Sequence, residues 1–419
     1  MNSHDPRMQS PSLDQCRERL CQNFQPDQQP FASGNGVSIV DVDGNEYLDF
    51  ASQTLNLNFG HSHPQIISAA VEQIQTLQYT SSRYLDETTL MLAKKLVDVA
   101  PAGLEKVNLK MTGGSLANEC AIKMARKRHG KYKIATTYGS FFGETLETMR
   151  ASGKYFGRDF IGGQEPFVHF EPPYEMDEPS ARPFRKLAEN DDDIAAVLLT
   201  PIDVNAGVIG FPQEYLEEIR QICDDNDIAL IFDEVQTGFG WLEDMFAADY
   251  YGVTPDIMTV AKGLSAGFPL GGVLCKEEYD VVEYGEHEFT YGAHPVSCAT
   301  ALEVLEILTE PGYSDSIRKK SRYLRDRLQK LKRFDCVSDV RSFGLIAGLD
   351  IVFPNGEPDS ELAQRVFDSC REQGILFRLS GDFGGNSIVI KPPVVVTEDE
   401  IDEAIDVLEQ TLQNLAETA

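Results

Sequence analysis

The sequence is short of positive charge. Against 67 acidic side chains it carries 37 lysines and arginines, a formal net charge of −30 over 419 residues. A surface of that sign repels phosphate backbones and anionic headgroups, so neither nucleic acid nor membrane is expected as a partner. Long hydrophobic runs are missing too. No apolar stretch approaches the roughly 20 residues that span a bilayer, and the opening MNSHDPRMQSPSLDQ lacks the apolar core of a secretory signal. The eight cysteines, at 16, 21, 120, 223, 275, 298, 336 and 370, form no C-x-x-C pair, and several sit inside apolar segments. They read as reduced thiols, not as a disulfide framework or zinc ligands. Together these absences predict a cytoplasmic protein. His61 and His63 stand two apart with no acidic or cysteine ligand nearby, so no metal is expected. The chain also lacks G-x-G-x-x-G, a Walker-A lysine motif and a G-x-S-x-G elbow, which argues against a Rossmann dinucleotide site, a P-loop and a serine hydrolase.

What is present has the composition of an ordinary globular protein, 42% hydrophobic and 25% charged. The length exceeds one compact core and points to two domains. Residues 1–36 look irregular. VSIVDVDGNEYLDF then alternates in polarity and breaks at Asp43 and Gly44, the signature of a two-residue hairpin. From about 64 to 310, apolar runs alternate with helical patterns: helix 84–99, helix 116–129, strand 194–200, helix 213–226, strand 228–233 and helix 295–309. Such alternation predicts an α/β fold with a mostly parallel sheet covered on both faces. Beyond Pro311 and Gly312 comes a basic amphipathic stretch, SIRKKSRYLRDRLQKLKRF, read as a solvated helix face. Short strands near 340–352 and 386–391 follow. Thr397 and Glu400 form a capping box ahead of a helix whose face is Ile401, Ala404, Ile405, Leu408 and Leu412. The expected division is a large domain over 61–310 and a smaller α/β domain over 311–419, which the N-terminal segment 1–60 joins.

Several stretches carry chemistry. In KMTGGSLANECAIKMARKRHG, Gly114 and Ser115 open a helix, where free N–H groups, a hydroxyl and the positive dipole end suit a phosphate. Many helices begin this way merely for capping. Lys262, in PDIMTVAKGLSAGFPLGG, follows an apolar run and precedes small residues. Partial desolvation there frees the amine for Schiff-base chemistry, although a lysine snorkelling from a strand end reads equally well. IALIFDEVQTGFGW runs a buried strand straight into Asp233 and Glu234. A carboxylate at a strand's C-terminal end faces a ligand crevice in α/β sheets, where Asp233 can pair with a cationic ring nitrogen and Gln236 can reach a ring substituent. Glu234 reads as structural. The SFFG stretch at Phe141 offers an aromatic face, and TYGAHP around Thr290 a polar turn before a helix.

In order and spacing these stretches resemble the class III pyridoxal-phosphate aminotransferases. The carrying residues are VDVDGNEYLDF, FGHSHP, GGSLANECAIKMAR, SFFGET, IFDEVQTGFG, PDIMTVAKGLSAGFPLGGVL, TYGAHPVSCATALEVL and KPPVVVTEDEID, from about residue 36 to 413. The resemblance implies a fold-type-I enzyme: a large domain on a mostly parallel seven-stranded sheet, a smaller α/β domain, and a homodimer with shared active sites. It implies pyridoxal 5'-phosphate as cofactor. Lys262 would be the Schiff-base lysine that also moves the proton from Cα, and Asp233 the partner of the pyridine nitrogen. Gln236 would lie near the ring's phenolic oxygen, Gly114 and Ser115 on the phosphate, and Phe141 on the ring face. Thr290 would reach the phosphate held by the neighbouring subunit. The implied reaction moves an amino group from an amino-acid donor to a ketone or aldehyde in two half-reactions through pyridoxamine phosphate. A racemase, epimerase or decarboxylating enzyme of the same fold is the alternative. Retention of both Lys262 and Asp233 argues against a non-catalytic subunit.

The departures concern the substrate. Thr200 stands where the family has Glu before Pro, Leu116 where it has Glu, Phe142 where it has His, and Val389 where an arginine grips the α-carboxylate. Gly-Arg-Thr-Gly is replaced by Gly240, Trp241, Leu242 and Glu243. These changes predict an unusual, apolar or bulky substrate, with Trp241 as its main sign. Arg378 is either a substitute clamp or a surface arginine.

Overall fold

The computed structural model describes residues 13–21, 30–81, 83–153, 159–163, 165–381 and 385–416. Seven strands form its main sheet, in the spatial order Lys106–Met111, Gly271–Cys275, Ile257–Val260, Ala229–Asp233, Ile194–Leu199, Lys133–Thr137 and Phe167–Phe170. All pairings from Ile257–Val260 to Phe167–Phe170 are parallel, and Gly271–Cys275 runs antiparallel to both its neighbours. Every residue of Ile194–Leu199 and Ala229–Asp233 is buried, which is why these strands read as unbroken apolar runs.

Within such a run the two faces still alternate. Ala229 and Ile231 join one core with Ala117, Cys120, Ala121 and Met124 of the helix Gly114–His129. Leu230 and Phe232 join the opposite core with Ile219 and Ile222 of the helix Gln213–Asn226. The alternation turns Asp233 toward the first helix.

The smaller sheet, Val337–Phe343, Ile346–Ile351, Ser387–Ile390 and Arg378–Leu379, is antiparallel throughout. A third sheet joins Phe31–Asn35, Ser38–Asp41 and Glu46–Asp49 to Ile375–Leu376, which pairs Ile375 with Leu48. The hairpin at Asp43 and Gly44 is not a two-residue turn: Val40 pairs with Glu46, and residues 42–45 lie between the strands. The Asp41 carboxylate organises the longer loop, accepting from the backbone N–H of Asp43 (3.0 Å) and Asn45 (2.9 Å) and from Asn45 Nδ2 (2.9 Å). The helix expected from residue 84 starts at Glu87, because Asp86 caps it by accepting from Thr89 N.

The basic helix Tyr313–Gln329 is more than a solvated face. Arg327 pairs with Asp402 and Asp406 of the closing helix Glu398–Ala416, and Lys319 pairs with Glu398. At the start of that closing helix, Glu400 N donates to Thr397 Oγ1 (3.2 Å) and Thr397 N donates to Glu400 Oε2 (2.7 Å). Ile401, Ala404, Ile405, Leu408 and Leu412 are all buried. Leu408→Ala therefore empties a packed site and is expected to cost about 2–5 kcal/mol, whereas Thr397→Ala loses one cap, about 1 kcal/mol. Thermal denaturation checks the order: the Leu408 variant melts well below the Thr397 variant.

Candidate active site

Asp233 ends its strand 5% exposed, with both carboxylate oxygens occupied by donors: Oδ2 accepts from Asn118 Nδ2 (2.7 Å), and Oδ1 from Val235 N (2.9 Å). Asn118 is held in that orientation from two sides. Its Nδ2 also donates to Phe142 O (2.8 Å), and its Oδ1 accepts from Thr259 Oγ1 (2.7 Å). Burial nevertheless pushes the Asp233 carboxyl up to about 6, against the pull of Asn118, the Val235 amide and the Lys262 charge. A cation placed against it would reverse that shift.

Glu234 has a different task. It is fully buried, and its oxygens accept from Ala248 N (2.7 Å) and, over a short contact, from Thr237 Oγ1. It ties the turn after Asp233 to the segment that opens Ala247–Tyr251, and burial pushes its carboxyl up to about 7.

One cavity gathers most of the residues singled out from sequence: Gly114, Ser115, Phe141, Asp233, Gln236 and Lys262 all line it. Thr200, Asp203 and Asn205 contribute a further wall. Gly114 begins its helix in direct contact with the turn after Asp233, since a Cβ there would lie 2.9 Å from a Val235 methyl. Ser115 Oγ accepts from Glu144 N (3.1 Å), which leaves its own proton free to donate into the cavity. Gly143 makes this approach possible: it sits at φ 138°, and a Cβ would lie 2.3 Å from Ser115 Oγ. Lys262 opens a short 3-10 turn, Lys262–Ser265, at φ 46°. A left-handed lysine of this kind costs about 1–3 kcal/mol and persists only where its surroundings hold it. Asn58 Nδ2 holds the turn by donating to Gly263 O (2.9 Å) and Phe239 O (3.0 Å).

Trp241, Thr290 and Arg378 fall outside the cavity wall. Trp241 is fully buried, donates from Nε1 to Pro392 O (3.0 Å), and packs behind the lysine turn, where a Cβ on Gly263 would meet its ring at 2.9 Å. This corrects the expectation that it selects the substrate, because the chain turns away from the cavity after Gln236. Thr290 is exposed, and its carbonyl accepts from Tyr79 Oη (3.0 Å). His61 is committed to Asp49 (Nε2–Oδ2 2.9 Å). Among the described residues, no cluster of histidine, cysteine or acidic side chains could hold a metal ion.

The aminotransferase class III family model matches residues 25–412. The chain belongs to this family. It is 35% identical over 395 residues to the acetylornithine aminotransferase of Caldanaerobacter subterraneus, covering 91% of this chain and 94% of that one. It is 37% identical over 387 residues to the acetylornithine aminotransferase of Methanothermobacter thermautotrophicus, covering 91% and 93%. Among solved structures, the Bifidobacterium kashiwanohense taurine:2-oxoglutarate aminotransferase, in complex with PLP and glutamate, matches with TM-score 0.89 and 29% identity, covering 98% of this chain and 99% of that one. A PMP-bound Vibrio fluvialis aminotransferase matches with TM-score 0.86 and 28% identity, covering 94% of each. The chain is thus an aminotransferase on an α/β fold.

The residues present fit pyridoxal phosphate. Gln236 Oε1 and Thr200 Oγ1 are buried and have no hydrogen-bond partner in the protein, although both residues line the cavity. Unpaired buried polar atoms are costly unless a ligand meets them. A helix N-terminus, a hydroxyl, an aromatic, an amine and a buried carboxylate supply the remaining contacts. Asn118 and Thr259 were not visible as site residues in the sequence. The signal that finds Asn118 is its position four residues after Gly114, one turn along the same helix, in phase with the strand end.

Pairing with a ring cation requires the ionised form of Asp233. Its raised folded value means that the protein without cofactor binds a proton there as pH falls through about 6. Affinity for pyridoxal phosphate, titrated by absorbance, should therefore weaken below that pH, by up to about tenfold per unit. Asn118→Ala, which removes a donor to the carboxylate, should move the midpoint upward.

Proposed function

We propose that this aminotransferase works with pyridoxal 5'-phosphate in the cavity between Gly114 and Lys262, on an amino donor and a carbonyl acceptor of which at least one bears a carboxylate. The observation that carries the reading is the convergence of an amine, a buried carboxylate and a helix N-terminus on one cavity. Gly114 and Ser115 would hold the phosphate, Phe141 the ring face, Asp233 the ring nitrogen, and Gln236 an oxygen at the ring edge. Bound there, the cofactor supplies an electrophilic carbonyl and an electron sink. The protein's part is positioning and proton movement. Lys262 would hold the cofactor covalently, and its amine, once released, would take the proton from the substrate Cα and return it elsewhere. The Asp233 carboxylate, kept in place by Asn118 and Val235 N, would keep the ring cationic throughout. The family and the relatives favour amino transfer over racemisation or decarboxylation.

For the substrate carboxylate we assign Arg378. It stands in register with Val389 across the antiparallel pair, so both side chains lie on one face of the sheet. The arginine that the resemblance places at 389 is thereby supplied from the neighbouring strand. Arg378→Ala should raise KM for amino-acid donors about 10- to 100-fold, the loss of a charged hydrogen bond, and leave amines without a carboxylate unaffected. Lys262→Ala should abolish turnover. Steady-state kinetics over a panel of labelled donors checks both. Racemised amino acid without keto acid would remove the transaminase reading.

We also assign a homodimer. Ile67, Val71 and Ile74 expose one apolar face of Pro64–Leu77, and Tyr84, Leu85, Leu90 and Met91 are exposed nearby in sequence. A second copy covering this face would carry Thr290, tethered to Tyr79, toward its neighbour's cofactor. Val71→Asp with Ile74→Asp should give a monomer by light scattering and lower activity. The Leu48–Ile375 pairing supports grouping residues 1–60 with the smaller domain. The free state of all eight cysteines supports a cytoplasmic location, and among the described residues no helix is long and apolar enough to cross a membrane.

A further inference from the structure

The most unusual side chain outside the cavity is Lys391, which is fully buried although it carries an amine. Lysine is almost never found so deep without partners. Its Nζ donates to Gln236 O (2.6 Å) and to Leu55 O (3.5 Å), and lies 3.5 Å from the centroid of the Trp241 ring. Its backbone is tied as firmly: Lys391 N donates to Phe50 O (2.7 Å), and Lys391 O accepts from Ser52 Oγ (2.7 Å). One residue just past the end of an inner strand of the smaller sheet, Ser387–Ile390, thus grips the segment after Asp233 and the loop at 50–55 together.

That loop is itself strained. Ser52, Gln53 and Leu55 occupy left-handed backbone at φ 46°, 57° and 63°, a conformation that persists only when its surroundings hold it. The turn bearing Gln236 is held from its other side within its own segment, by Val235 N on Asp233 and by Gly238 N on Glu234 O (3.1 Å). Lys391 is the side chain that reaches the Gln236 carbonyl from the smaller sheet, and the Gln236 amide oxygen is the atom left unpaired toward the cavity.

We infer that Lys391 is a positioning residue for the transamination site: by holding the Gln236 carbonyl against Trp241 and Leu55, it fixes where the Gln236 side chain meets the edge of the cofactor ring. The inference rests on the reading of Gln236 as a cofactor contact. Lys391 does not line the cavity. Burial first, and then the charges of Lys262 and Arg378, push its ammonium well below the usual range; a neutral amine still has two N–H groups, one for each carbonyl, although each bond is weaker than from an ammonium. Trp241 is then the platform on which the hook rests. This gives that residue an indirect link to the site in place of the direct one expected.

The test is a double-mutant cycle on the holoenzyme with Lys391→Met, Gln236→Ala and the pair, reading the pH midpoint of the visible cofactor band together with kcat and KM. Lys391→Met keeps the apolar stem and loses the donor. Lys391→Gln, which keeps a donor, serves as the conservative variant and should retain more activity than Lys391→Met. The expected result is a shifted band midpoint and kcat lowered about 10- to 100-fold in Lys391→Met, with KM for the donor little changed. The pair should be no worse than Gln236→Ala alone, because the hook acts through that side chain. Effects that multiply in the pair, or an unshifted band in Lys391→Met, overturn the role of Lys391 and leave the cofactor reading intact. An unshifted band in Gln236→Ala overturns both.

Discussion

The structure depends on a carboxylate that its surroundings do not want. Asp233 ends a strand buried on both faces, and burial alone raises its proton affinity far above that of an exposed aspartate. The protein compensates with two donors, Asn118 Nδ2 and Val235 N, and with the charge of Lys262. Two neutral donors orient a carboxylate without neutralising it. The site therefore keeps a negative end that its neighbours offset only in part, an arrangement suited to a cation brought in from outside. A salt-bridged aspartate would fold more comfortably and bind the ring less well.

The rest of the large domain can be read as support for that arrangement. Alternation along Ala229–Asp233 sends the carboxylate toward the Gly114–His129 helix, and the same helix presents its N-terminus to the cavity and Asn118 one turn later. A single element thereby sets both the helix-terminus end and the carboxylate end of the cavity. Its start is pressed against Val235, and Gly143 leaves room for Ser115, so the spacing between the two ends is fixed by hard contacts. Glu234, adjacent in sequence, spends its charge on backbone amides and a hydroxyl instead. The two neighbouring acids thus part company where the strand ends: Asp233 lines the cavity, and Glu234 is bound to the segment that opens Ala247–Tyr251.

Much of this was legible in the sequence, and the reasons are specific. Lys262, Asp233, Gln236 and the Gly114–Ser115 turn lie at strand ends or helix starts, where local patterning reveals which backbone end points to a crevice. Buried strands such as 194–200 and 228–233 announced themselves as apolar runs, and the capping box at Thr397 fixed a boundary to within one residue. Less was legible where a loop or a tertiary contact decides. The Asp41 carboxylate lengthens a hairpin that the Asp43 and Gly44 dipeptide alone would make tight. The charged face of Tyr313–Gln329 looked solvated because its acidic partners stand more than 70 residues away in sequence. The place of Trp241 is hidden in the sequence for the same reason. Sequence shows that a tryptophan replaces a small polar stretch, but not that the chain has already turned from the cavity.

Lys391 shows the limit most clearly. In SIVIKPP it reads as a lysine closing a strand, free to carry its amine out to water along an aliphatic stem. Only the packing of three separate segments, Phe50–Leu55, Gln236–Trp241 and the Ser387–Ile390 strand, closes every such route and leaves two carbonyls and an aromatic face as partners. A buried amine so placed adds little stability over a methionine in its place, because desolvation offsets most of what its hydrogen bonds contribute. What a methionine cannot do is hold one particular carbonyl at one particular position. Lys391 thus acts through geometry and not through stability, and the site is set as much from the end of a strand of the smaller sheet as from the large sheet whose strand ends in Asp233.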